Sequence, residues 1–272
     1  MTFRKILTWF DRPLSIDTVV AQRYQIKDIL GMGSYGFTYL VTDMLSGEIK
    51  VLKQLRKSKQ RYASGRKSFA YEQTILQQLE HHAIPRFFHS FIWRKEPFFV
   101  MEEMCGKTFE DFIFRDGKMY TEKETFLILY KVLEVVSYFH SQGIVHRDLR
   151  IPNILMRDDD ISIIDFGLAR FIGENDERAR YYKGEQAYMR EIQYCSDFYA
   201  LGHFVLFLLY SSYETSKEER PWYEELTLSA NSSDVIMRML QMKEPYYENV
   251  QELIEDVRCI IERMGDTCSK SF

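Results

Sequence analysis

A basic surplus is missing from this chain: 36 lysines and arginines stand against 40 aspartates and glutamates, leaving a net charge of −4 over 272 residues. Nucleic-acid binders normally carry the opposite balance, so no nucleic-acid partner is expected. Paired cysteines are missing too. Cys105, Cys195, Cys259 and Cys268 form no CxxC pair and no ligand-like cluster with histidine, which argues against a zinc site or a disulfide framework and suits the reducing cytoplasm. No apolar run reaches the roughly 18 residues of a membrane span; the most apolar stretch, Phe198 to Tyr210, is interrupted by Gly202 and His203. The N-terminal MTFRKILTWFDRPLSID is too short and too polar for a secretory signal, being broken at Thr8 and closed by Asp11-Arg12-Pro13. It reads as a short helix on the domain's own surface. The other reading is a weak, reversible membrane contact through Arg4, Lys5, Trp9 and Phe10. Internal repeats and low-complexity linkers are absent.

What is present centres on residues 146–170. Asp148 follows a basic dipeptide, Asn153 comes five residues later, and Asp165 ends the apolar run from Ile161 to Ile164 in a glycine-supported turn. Asn153 and Asp165 supply one neutral and one charged hard oxygen, a set that suits Mg²⁺ (Mn²⁺ prefers similar donors). Asp148 is then available to accept or orient a hydroxyl proton. Phosphoryl transfer needs such residues because its reacting centre is a polyanion, so catalysis is mostly positioning and charge neutralisation.

From Tyr24 the sequence YQIKDILGMGSYGFTYLVTDMLSGEIKVLKQL alternates β-branched and aromatic residues with glycines, a run of antiparallel strands. Gly31, Gly33 and Gly36 lie at the first turn, where residues without Cβ let backbone N–H groups approach phosphate oxygens. A dinucleotide fingerprint would open a helix at its third glycine, whereas here Phe37 to Val41 reads as another strand. The segment SFAYEQTILQQLE has helical spacing and places Glu72 on its inward face, where a charge needs a partner. The arginine- and lysine-rich stretch before it, residues 56–67, reads as a solvated loop and helix start; the other reading is a receptor for an acidic or phosphorylated segment. Strands follow Pro85, turning at Arg94-Lys95-Glu96-Pro97. Thr121 and Glu124 form a capping box for a long amphipathic helix ended by Gly143.

His146-Arg147-Asp148-Leu149 with Asn153, followed by Asp165-Phe166-Gly167, resembles the catalytic loop and metal-binding turn of the eukaryotic-type protein kinases. Within that family the chain is similar to the small bacterial serine/threonine kinases. The resemblance implies an α+β, two-lobed protein-kinase-like fold: a small antiparallel-sheet N-lobe with one main helix, about 23–101, a hinge at 102–106, and a larger, mainly helical C-lobe, about 107–265. Residues 1–22 would be an extension and 266–272 a polar tail. It also implies ATP and Mg²⁺ as cofactors and a protein substrate. In that comparison Asp148 orients the acceptor, Lys53 of the KVLK string grips the phosphates in partnership with Glu72, and Arg150 neutralises developing charge. Lys50 competes for the phosphate role but points to the opposite strand face. Asn153 and Asp165 hold the metal; Leu30, Gly31, Gly33, Gly36, Thr38, Val51, Met101, Glu102, Met104 and Leu155 surround the nucleotide. Asp197, at the start of a helix over 198–210, resembles the structural aspartate that holds the catalytic loop.

Four departures qualify this. Arg150 stands where serine/threonine kinases usually have lysine, and some tyrosine kinases carry arginine, which leaves the acceptor hydroxyl open. Thr38 replaces the usual valine. No Ala-Pro-Glu closes the activation segment; Glu185 and Glu191 are the available carboxylates. Between Asp165 and Asp197 there is no threonine and Ser196 is the only serine, so the segment is either constitutively ordered or modified at Tyr181, Tyr182 or Tyr188. The rival readings are a nucleotide-binding pseudokinase and a small-molecule kinase.

Overall fold

A computed structural model describes residues 11–33, 36–174, 182–214 and 220–266, and the chain divides into two compact units, residues 1–104 and 105–272. The N-terminal apolar run, Tyr181 and the polar tail beyond Asp266 lie outside the described residues.

The first unit contains β1 (Val19–Val20), β2 (Tyr24–Met32), β3 (Gly36–Asp43), β4 (Ile49–Leu55), α1 (Lys57–Gln60), α2 (Ala63–Gln78), β5 (Phe87–Trp93) and β6 (Glu96–Glu102). The strands form one antiparallel sheet in the order β1-β2-β3-β4-β6-β5. Arg94 and Lys95 both take positive φ, 50° and 65°, which matches the twist of a two-residue hairpin turn. The turn expected over 94–97 is therefore shorter: Glu96 and Pro97 belong to β6. Pro97 is tolerated because β4 begins to pair with β6 only at Phe98.

Period-two alternation gives this sheet two different faces. One buries Val20, Tyr24, Ile26, Phe37, Tyr39, Val41, Leu52, Phe98 and Val100, with Leu14 packed against them. The segment before β1 is tied down there. Asp11 accepts from the backbone N–H of Ser58 at 3.1 Å, and the Leu14 N–H donates to the Tyr39 hydroxyl at 3.0 Å. The second face carries Phe99, against which Phe69 of α2 packs with ring centroids 5.1 Å apart.

Asp43 closes β3 with a fully buried carboxylate. It accepts two hydrogen bonds from Arg23, both 2.8 Å, and one from Lys50 at 3.0 Å. The Arg23 guanidinium, opposed by burial and joined by Lys50, holds this carboxyl well below the usual carboxylate range. Because the folded state binds the proton less tightly than the unfolded chain, the pairing stabilises the fold above pH about 4, and the contribution is lost as the pH falls below that. Asp43→Asn should accordingly cost about 3 kcal/mol or more near neutrality and progressively less toward pH 3. Urea midpoints for the two proteins across that range would reveal the convergence; parallel curves would contradict it.

The second unit contains β7 (Lys107–Thr108), α3 (Phe109–Phe114), α4 (Glu122–Ser141), β8 (Ile144–Val145), β9 (Ile154–Arg157), β10 (Asp160–Ile163), a 3-10 turn at Phe166–Leu168, β11 (Arg170–Phe171), α5 (Glu185–Arg190), α6 (Tyr194–Tyr210), α7 (Trp222–Glu225), α8 (Ala230–Met239) and α9 (Val250–Asp266). Two small sheets, β10-β9-β7 and β11-β8, accompany the helices. The capping box at the start of α4 is formed in both directions, and Gly143 follows its end at φ 72°. Helix α6 starts at Tyr194 and not at 198, so the polar pair Ser196-Asp197 lies inside its first turn. The apolar pattern that marks the helix begins only at Phe198. The buried Asp197 is accommodated because the backbone amides of His146 and Arg147 and the His140 ring on α4, and not solvent, satisfy its oxygens.

Candidate active site

The first unit places the expected nucleotide residues by strand register. Gly31 lies opposite Thr38, Thr38 opposite Lys53, and Lys53 opposite Phe99; Val51 lies opposite Met101. Paired residues share a face, so Thr38, Val51, Lys53 and Met101 all project from the face of the sheet that is not filled by the apolar cluster. Val51 and Met101 are buried there. Lys53 Nζ contacts Glu72 Oε1 at 2.6 Å, and Glu72 on α2 is buried. Lys50 lies on the other face and bonds Asp43 and Glu48 instead.

Three expected residues behave less simply. Leu30 occupies a bulge between Ile29 and Gly31 and is half exposed. The N–H of Glu102 donates to the Arg86 carbonyl at 2.9 Å and so belongs to the first unit's own framework; Met104 follows it, partly buried. Among the glycines, an added Cβ would meet only open space at Gly31 and an ordinary contact at Gly33, but at Gly36 it would lie 2.6 Å from the Gln54 carbonyl oxygen. Strand packing alone therefore requires glycine at 36. The basic stretch is partly engaged: Arg56 stacks on Phe37 at 4.5 Å and Lys57 pairs with Glu96 at 3.0 Å.

In the second unit Asp148 is the focus. Its Oδ1 lies 2.9 Å from Arg150 Nε and 2.9 Å from Arg190 Nη1. Its Oδ2 accepts from Arg150 Nη2 at 3.1 Å and from Asn153 Nδ2 at 2.9 Å. Burial alone would raise the carboxyl's pKa, but the guanidiniums of Arg150 and Arg190 override it and keep Asp148 below its ordinary value, an anion at neutral pH. Asn153 also donates to the Asp148 carbonyl at 2.9 Å, and its own carbonyl accepts from the Ile164 N–H at 2.9 Å, which fixes Asp165 one residue further on. Asp165 sits in the left-handed region at φ 62°. Phe166, buried after it, packs on His146 at 4.6 Å. Leu155 is buried on β9, opposite both Ser162 and Thr108.

Asp197 supports this loop. Its carboxylate is fully buried and accepts from the backbone N–H groups of His146 at 2.8 Å and Arg147 at 2.7 Å and from His140 Nε2 at 2.9 Å. Arg147 takes φ 67°, a strained conformation for a side chain of that size, and Asp197 holds its amide and the one before it. His146, completely enclosed, has its pKa lowered by burial. As a neutral ring it donates from Nε2 to the Ile164 carbonyl at 3.2 Å and accepts at Nδ1 from the Asp148 N–H at 3.2 Å, so it ties the catalytic loop to the segment before Asp165.

His140, His146 and Arg190 were not singled out as site residues from sequence. Glu185 and Glu191 are exposed; it is Arg190 that reaches Arg147 and Asp148. Tyr182 is partly buried and Tyr188 stacks on Tyr199 at 5.5 Å.

Among the described residues no group of three or more His, Cys, Asp or Glu forms a ready-made metal cage. The donors on hand, the Asn153 carboxamide and the Asp165 carboxylate, fit Mg²⁺, which takes one or two carboxylates and completes its shell with water and substrate phosphates. None of the described cysteines is in a disulfide, and no described helix is long and apolar enough to cross a membrane.

Comparison with known proteins gives a match to the protein kinase domain over residues 24–270. A probable serine/threonine-protein kinase of Bacillus subtilis, YbdM, is 34% identical over 93% of this chain and 95% of its own length. Serine/threonine-protein kinase B of Synechocystis sp. is 28% identical over 86% of this chain and 46% of its own length. Among solved structures, the kinase domain of Mycobacterium tuberculosis PknI superposes with a TM-score of 0.69 at 19% identity, covering 91% of this chain and 98% of that one.

Proposed function

The chain belongs to the protein kinase domain family, and from that premise we propose that it transfers the γ-phosphoryl group of ATP to serine or threonine hydroxyls of a protein substrate. The observation that carries this reading is the anionic Asp148, held among Arg150, Asn153 and Arg190 one loop away from Asp165.

Each residue's task follows from its chemistry. Lys53, fixed by Glu72, presents an ammonium to the phosphates. Gly31, where a side chain would meet only open space, and Gly33, where it would make one ordinary contact, leave room for backbone N–H groups to reach them, and Gly36 completes the turn. Thr38, Val51, Met101 and Leu155 offer apolar or small surfaces to the adenine; Leu30, Glu102 and Met104 are the remaining nucleotide contacts. Asn153 and Asp165 hold Mg²⁺, which when bound neutralises phosphate charge and orients the triphosphate. Asp148 accepts a hydrogen bond from the acceptor hydroxyl and orients it, and Arg150 balances the charge that develops on the transferred group. We take residues 23–265 as the kinase domain, with 1–22 as an extension and 266–272 as a tail, and a cytoplasmic location, where ATP and Mg²⁺ are supplied.

Incubation with radiolabelled ATP, Mg²⁺ and generic protein substrates, followed by phosphoamino-acid analysis, tests the proposal. Phosphoserine or phosphothreonine is expected. Phosphotyrosine alone would overturn the acceptor assignment, and no incorporation with retained ATP binding would overturn the activity.

A further inference from the structure

Asp148 is saturated. A carboxylate has about four hydrogen-bonding positions, and here Arg150 Nε and Arg190 Nη1 occupy those of Oδ1, while Arg150 Nη2 and Asn153 Nδ2 occupy those of Oδ2. A hydroxyl that is to be oriented by this group needs one of these partners to leave. The two guanidiniums differ sharply in how they are held. The side chain of Arg150 is 52% exposed, so water can replace its bonds as it turns away.

Arg190 is 15% exposed and braced at both ends. Its Nη1 donates also to the Arg147 carbonyl, and its own carbonyl accepts from Arg147 Nε at 2.7 Å and from Arg147 Nη2. Arg147 is fully buried and additionally donates to the Leu168 carbonyl at 3.2 Å. Freeing Arg190 would unfasten α5 from the catalytic loop as a unit, whereas freeing Arg150 moves one side chain.

We propose that Arg190 is the positioning residue of the catalytic carboxylate: it keeps Oδ1 of Asp148 throughout turnover, while Arg150 and Asn153 turn to the nucleotide and release Oδ2 for the acceptor hydroxyl. Once those two partners have left, a carboxylate only 8% exposed would otherwise be buried with no cation beside it, an expensive state that Arg190 prevents. The residue thus links the order of the activation segment to the aim of Asp148 through main-chain bonds, with no covalent modification required. This inference rests on the function proposed above.

The test compares the full chain with Arg190→Lys, Arg190→Met and Arg190→Ala. A positioning role predicts that kcat falls about 10²-fold in the Met and Ala variants while KM for ATP changes less than about twofold, because misplacement of a reacting group affects the transition state and not nucleotide binding. Arg190→Lys should recover part of the loss, and guanidinium ion, at concentrations that leave the thermal midpoint unchanged, should raise kcat of Arg190→Ala but not of the wild type. Unchanged or increased kcat in Arg190→Met would overturn the proposal, the second because it would make Arg190 a brake. Loss of activity that tracks a lowered melting temperature, with no recovery from lysine or guanidinium, would also overturn it by reducing the residue to a structural one. A wild type that transfers no phosphate would instead refute the proposed function itself.

Discussion

Asp148→Asn should lower kcat by about 10²–10⁴-fold while leaving the Kd for Mg-ATP within about twofold of the wild type. The replacement keeps the size of the side chain but removes the acceptor capacity of one oxygen and the negative charge that Arg150 and Arg190 face. Nucleotide affinity is expected to survive because Lys53, the residue proposed to grip the phosphates, is held by Glu72, and Asn153, which bonds Asp148 Oδ2, keeps its second bond to the Asp148 main-chain carbonyl. Arg150 can turn to solvent in the variant. Arg190 cannot do so easily, which adds a modest loss of stability. Calorimetric titration with a non-hydrolysable ATP analogue, beside steady-state rates, separates these effects. If ATP binding vanished together with turnover, the role proposed for Asp148 would be wrong.

The second large effect is expected at Asp197, which touches no reactant. Asp197→Ala removes the acceptor for two backbone amides and one imidazole, all buried, and leaves Arg147 at positive φ without its support. Breaking such a buried charged network costs about 3–5 kcal/mol, a large share of the stability of an ordinary domain. Activity should fall further than stability alone predicts, because Asp148 immediately follows the residue whose backbone is released. Asp197→Asn should be milder, since an amide keeps one acceptor oxygen but must turn its NH₂ toward a donor. Chemical denaturation, with rates measured at a temperature where each variant remains folded, would reveal the order: wild type, then Asn, then Ala. Equal behaviour of Ala and wild type would remove Asp197 from its supporting role.

The strand half of the fold was legible for a definite reason. Period-two alternation puts Lys53 and Lys50 on opposite faces without any knowledge of their partners, and the register does separate them: Lys53 meets Glu72, while Lys50 meets Asp43. The inward-facing Glu72 likewise announced its need for a cation through helical spacing alone. Boundaries were less legible. Helix α6 begins at Tyr194 because the cost of burying Asp197 is offset by amides from a distant loop, and no window of sequence around 197 contains those donors.

What the order of residues determined by itself was the local chemistry: which carboxylates and amides exist, which turns need glycine, which strand face each side chain occupies, and the family these together indicate. Tertiary structure decided the company those groups keep. Arg190 is 43 residues from Arg147, and Asp197 lies 57 residues from His140 and 51 from His146. Separations of that length carry no periodic signal, because backbone geometry correlates side chains only over a turn of helix or a pair of strand residues. Beyond that range a charge finds its partner through packing, and a buried carboxylate such as Asp148 is tuned by whichever cations the fold delivers to it.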